Sequence, residues 1–210
     1  MLPGQVSLDP EVTRGLPAKL TAATGMDALS HSLEALCAPT YHPMAEGIAI
    51  EGLRLVKGYL PRAVVDGEDL EARMQMLVAS SMGATAFQKG LGAMHALAHS
   101  LGALYDAHHG LLNAILMPYV LEANADQIAD KLSRAAAYLD LPEASYASFL
   151  NWVLDLRAGI GIPNTLGGIG ITAEEAERVG HMAVADSAAA GNPIPLSAEA
   201  YADLFRKAVG

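Results

Sequence analysis

Only one cysteine, Cys37, stands among the 210 residues. An intramolecular disulfide is therefore impossible, which fits a reducing compartment. Thiolate zinc sites are excluded too, so any metal here must be held by histidine and carboxylate. Aromatic residues make up only 5% of the chain. That scarcity, beside abundant alanine, favours closely packed helices over a β-sandwich. Cations are few: 13 Lys and Arg face 23 Asp and Glu, for a net charge of −10. Grip on a nucleic-acid backbone needs a basic cluster, and no such block occurs. The opening MLPGQVSLDPEV holds no apolar signal core. The longest apolar run, Leu111 to Leu121, is interrupted by Asn113 and Pro118. It is too short and too broken to cross a bilayer. The expectation is a cytoplasmic protein with no nucleic-acid or membrane partner.

What is present is a chain 52% hydrophobic and 17% charged. Such a composition supports a sizeable core and argues against disorder. Pro3, Gly4, Pro10 and Gly15 break residues 1–16 into an irregular connecting segment. From Pro17 onward helical spacing dominates, with Leu29, Leu33 and Leu36 forming one apolar stripe and Gly25 a candidate break. Further helices are read over 44–65, with Pro61 bending or ending it, and over 70–89, with a buried centre rich in small residues. The next is read to about Ala107, another from about Leu111, then 126–138 and 145–158. The segment GIGIPNTLGGIGIT lacks the order of a nucleotide-binding loop and has no strand before it, so it is read as a connector. Thr172 and Glu175 form a capping-box pattern for a helix through Ala185, and Ser197 caps a last helix to about Val209. The expected fold is all-α, a bundle of roughly eight to ten helices spanning residues 17–210.

The informative stretch is FQKGLGAMHALAHSLGALYDAHHGLLNAILMP, residues 87–118, which holds His95, His99, His108 and His109. Imidazoles in so apolar a context need polar partners, and a metal ion is one. Upstream, Asp27 and His31 are four apart and share a helix face. Imidazole and carboxylate together suit a hard or borderline divalent cation. A set of three nitrogens and one carboxylate leaves a bound divalent ion with about one net positive charge. Spacing alone leaves open whether His95 pairs with His99 or His109, and whether His108 or His109 is the third nitrogen. His42, before Pro43, reads as surface, and His181 as structural.

The segments LTAATGMDALSHSLEAL (20–36), GLGAMHALAHSLGALYDAHHGLLNAILMPYVL (90–121) and GIPNTLGGIGI…ADSAAAGNPIPLS are similar to the C-terminal catalytic domain of the iron-dependent (group III) alcohol dehydrogenases. Its helical domain is also like that of dehydroquinate-synthase-like proteins. The resemblance implies that Asp27, His31, His95 and His109 hold Fe²⁺, with Zn²⁺ or another divalent metal as a substitute. It makes His99 a catalytic, non-ligand residue. It also implies that the metal polarises the oxygen of a small alcohol or aldehyde for hydride transfer with NAD(P). Two departures, His108 where the family usually has proline and Leu111–Leu112 where it has small residues, are expected to reshape the substrate pocket. The family's N-terminal dinucleotide-binding domain has no counterpart in these 210 residues. The chain is therefore expected to bind metal, to turn over little alone, and to self-associate through the face that domain covers. A stand-alone metal-binding or interaction module without redox activity is the alternative. A lyase of the dehydroquinate-synthase type is disfavoured by the ligand set, and glycerol dehydrogenases are nearer relatives that fit it less well.

Overall fold

In the computed structural model, residues 4–210 are described, and among them nine α-helices and five short 3-10 turns carry the whole architecture, with no strand. The helices are α1 (Ala18–Cys37), α2 (Pro43–Val65), α3 (Leu70–Ala86), α4 (Ala93–Tyr105), α5 (His109–Ala123), α6 (Ala125–Tyr138), α7 (Tyr146–Gly159), α8 (Ala176–Ala185) and α9 (Ala198–Val209). The all-α expectation holds. None of these helices is long and apolar enough to cross a membrane. The first three residues of the proposed connecting segment lie outside the described residues; Pro10–Thr13 forms a 3-10 turn.

Two helices form the centre. In α5, every residue from Leu112 to Pro118 is buried. A helix apolar on all sides has to be surrounded by others. Helix α1 packs against α2, α3 and α5, while α4 lies between α5 and α8. Helices α6 and α7 pair with each other, as do α8 and α9. The C-terminal end of α1 leaves carbonyls that need donors. Lys89 supplies Nζ to Ala35, Leu36 and Ala38 oxygens at 2.8–3.2 Å, and Lys131 reaches the same end. Cys37 is buried beside them, and burial pushes its thiol up to about 12.

Several expectations need correction. Gly25 does not break α1, which is continuous. A Cβ on Gly25 would overlap the Leu60 side chain, so the glycine serves close approach of α1 and α2. Pro61 lies inside α2 without ending it, four residues before the helix finishes at Val65. Helix α3 is buried only at Ala72, Arg73, Ala79, Gly83 and Ala86, and its centre, Met74 to Val78, is half-exposed. The Thr172–Glu175 capping box is not made: Thr172 caps nothing with its side chain, because Ala173–Glu175 winds as a 3-10 turn before α8. Ser197 does cap α9, its Oγ accepting from Ala200 N at 3.2 Å. His42 is exposed, as expected, and also caps α2 through Nδ1, which accepts from Ala45 N at 3.2 Å.

The two helical glycines Gly25 and Gly58 give a paired test, since a Cβ at Gly58 meets nothing within 4 Å. Gly25→Ala is expected to destabilise by roughly 1–3 kcal/mol through overpacking. Gly58→Ala should be neutral or stabilise by up to about 1 kcal/mol through helix propensity. Urea unfolding of the two variants beside the parent checks both signs.

Candidate metal centre

Helix α1 presents Asp27 and His31 one turn apart, α4 presents His95 from its first turn, and α5 begins with His109. One ligand atom from each of these four side chains lies within 4.8 Å of the others. His109 Nε2 stands 3.5 Å from Asp27 Oδ1, His95 Nε2 4.0 Å from the same oxygen, and His31 Nε2 4.0 Å from Asp27 Oδ2. The imidazoles pack as two stacked pairs, His31 on His95 at 4.9 Å and His99 on His109 at 5.3 Å between ring centres.

The choice left open between His108 and His109 comes down to where α5 starts. The chain leaves α4 at Asp106, in the left-handed region with φ 51°. His108 is then the N-cap, its Nδ1 accepting from Leu111 N at 3.3 Å, and faces outward. His109 is the first helical residue and faces the cluster. Gly110 makes the approach possible, because a Cβ there would overlap Ala23 oxygen and stand 3.1 Å from Asp27 Cβ. Helix α5 thus meets the backbone of α1 where Asp27 projects. Of the two following leucines, Leu112 is fully buried in the core and Leu111 is half-buried.

His99 is not in the four-donor group. Its side chain is 42% exposed, and its Nδ1 lies 3.0 Å from Asp186 Oδ2. Asp186 was not singled out from sequence, being 87 positions away with no local signal. Glu34 was also missed. Its Oε2 is 2.7 Å from His95 Nδ1, and it accepts from Gly92 N and Met94 N at 2.7 Å each. A carboxylate accepting Nδ1–H leaves His95 Nε2 bare and aimed at the other donors. The sequence signal for Glu34 was its place on the Asp27–His31 face, three residues after His31. Asn113, one helical turn after His109, was read only as an interruption. Its Nδ2 lies 2.8 Å from Asp27 Oδ1, 3.0 Å from His109 Nε2 and 3.2 Å from His95 Nε2.

Electrostatics favour bare nitrogens. Burial pushes His31 below the ordinary imidazole value, against the pull of Asp27, and the neighbouring His95 and His109 push it the same way. Burial likewise lowers His109, again against Asp27, with His95, His99 and His108 adding to the effect. The donor set of three imidazole nitrogens and one carboxylate oxygen fits a divalent cation of the iron, cobalt or zinc type.

The sequence profile of the Fe-containing alcohol dehydrogenase family, C-terminal part, matches residues 21–209. The 4-hydroxybutyrate dehydrogenase of Cupriavidus necator is 41% identical over 218 positions, covering 100% of this chain and 56% of its own length. The 1,3-propanediol dehydrogenase of Citrobacter freundii is 38% identical, covering 99% of the chain and 55% of its own. The chain thus spans about half the length of the curated relatives it matches. Among solved structures, a 1,3-propanediol oxidoreductase superposes with a TM-score of 0.91 at 35% identity, over 95% of this chain and 54% of that one. An iron-containing alcohol dehydrogenase from Thermococcus thioreducens gives 0.88 at 30% identity, over 96% and 53%.

The lowered histidines carry a sign. On acidification the unfolded chain takes up protons near 6.5 while His31 and His109 resist. The metal-free protein should therefore lose stability as pH falls below about 6.5, the loss levelling off only below the depressed folded values. An NMR titration of the imidazole C–H signals checks the premise: His31 and His109 should titrate below 6.5, and values at or above it would contradict the burial.

Proposed function

Since this chain belongs to the Fe-containing alcohol dehydrogenase family, an oxidoreductase family, and corresponds to its C-terminal domain, we propose that it carries the metal centre of an NAD(P)-dependent alcohol dehydrogenase or aldehyde reductase. Asp27, His31, His95 and His109 are the ligands in this reading. The observation that carries it is the convergence of these four side chains, from three helices, within 4.8 Å. A divalent ion bound there, Fe²⁺ or a substitute such as Zn²⁺, supplies Lewis-acid polarisation of an alcohol or carbonyl oxygen.

The chain's own residues do the rest. Glu34 holds His95 in the tautomer that keeps Nε2 free. Its charge also revises the expected balance of the site. Asp27 and Glu34 together carry two negative charges, so a divalent ion held here leaves no net charge. The half-exposed pair His99 and His109 marks the side open to solvent, from which substrate enters. His99, oriented by Asp186, lines that entrance and serves as the catalytic non-ligand residue. The dinucleotide is contributed against this face by the part of the relatives' length that the 210 residues do not span. Assayed alone, the 210-residue polypeptide is expected to bind metal and to turn over little.

Elemental analysis after anaerobic iron loading tests the reading. The parent chain should hold close to one metal per chain, and His95→Ala, folded by circular dichroism, should lose most of it. Equal metal in both, or none in the parent, would refute the assignment.

A further inference from the structure

Asn113 is fully buried, yet its amide is oriented at a cost. Its Oδ1 is enclosed without a hydrogen-bond partner. An enclosed carbonyl left unpaired costs about 1–3 kcal/mol. The half-turn of the amide that would aim the oxygen at the donors instead is disfavoured, because Asp27 Oδ1 and the bare His95 Nε2 are both acceptors. The N–H side therefore faces the cluster, against three of its four donor atoms at 2.8, 3.0 and 3.2 Å, one each from α1, α5 and α4. An amide nitrogen has two hydrogens and cannot serve three acceptors fully. The shortest contact, to Asp27 Oδ1, takes the firmest bond. Exposure fixes the side from which Asn113 acts. His31 and His109 side chains are 20% and 40% exposed, whereas Asn113 is 0%. Solvent reaches the donors from one side, and the amide closes the other.

We propose that Asn113 is a positioning residue of the metal centre. Its Nδ2–H orients the Asp27 carboxylate, and its bulk closes the buried side of the donor set against a further water ligand. Any open coordination position is thereby confined to the solvent side, beside His99. This role rests on the metal reading above. It also explains why an amide occupies the seam between α1, α4 and α5, where every neighbour on α5 from Leu112 to Pro118 is apolar apart from it. A leucine there would fill the same space without presenting a donor.

The test uses cobalt(II), whose visible absorption reports coordination number and geometry, on the full 210-residue chain. The parent should bind cobalt(II) with a d–d spectrum of low coordination. Asn113→Ala should weaken binding about 10–100-fold, the usual loss when a ligand's orienting partner is removed. Its spectrum should also weaken toward that of a higher-coordinate ion as water enters the vacated side. Asn113→Asp keeps the volume but removes the donor and adds an anionic oxygen, so it should alter the spectrum even if the alanine variant fails to fold. A role in packing alone would lower the unfolding midpoint and leave affinity and spectrum unchanged in the folded variants. That result would overturn the proposal. Absence of cobalt binding in the parent would instead remove the metal reading, and this inference with it.

Discussion

The buried carboxylate of Glu34 joins the helix that carries Asp27 and His31 to the helix that carries His95. It takes the place of an N-cap for α4, whose own cap residue, Gly92, has no side chain to offer. Gly92 N and Met94 N both donate to it, and Ala93 N between them donates to Asn192 Oδ1 at 3.1 Å. Asn192 is held in turn by reciprocal amide bonds with Asn124 at 2.9 Å. The positive end of the α4 dipole meets this negative charge, which is favourable in itself. The same Oε2 that accepts from Gly92 also meets His95 Nδ1. One group thus fixes where α4 begins, how it is turned, and which nitrogen of His95 is free. Removing one partner of such a buried, charge-assisted set is expected to cost several kcal/mol.

The other constraint is closeness of backbones. Helix α5 reaches α1 because Gly110 has no side chain, and that contact sets His109 beside Asp27. The donors are therefore fixed by two close joints, one polar and one steric. Loops contribute little to the placement: three ligands lie within helices and the fourth opens one. Rigid elements hold ligand geometry better than loops do. Crowding then acts on charge. Burial and the neighbouring imidazoles hold His31 and His109 below the ordinary imidazole value. The lone pairs a cation needs are kept available.

Much of this is legible in the amino-acid sequence. Periodic apolar spacing located the helices, and the Asp27–His31 pair at four residues was readable because both sit on one long helix. What was not legible depended on details of a residue or less. His108 takes the place of His109 if α5 starts one position earlier. Thr172 lost its cap because one turn wound as 3-10. Gly25 looked like a break because spacing cannot show that Leu60 lies against it. Glu34 and Asn113 were hidden by their types: a glutamate on a helix reads as surface, and an asparagine in an apolar run reads as an interruption. Asp186 meets His99 only through the packing of α8 against α4. Glu34 and Asn113 do stand at helical spacing from His31 and His109, but only the fold shows what they touch, and Asp186 leaves no local trace at all.

The most direct test of the central claim is a crystal structure of the metal-loaded chain with anomalous data collected at the metal edge. One peak is expected within coordination distance, roughly 2.0–2.3 Å, of the Asp27 carboxylate and the Nε2 atoms of His31, His95 and His109. Glu34 should remain on His95 Nδ1. A peak bound by His99 or His108 in place of one of these four, or no ordered metal at the cluster, would contradict the account.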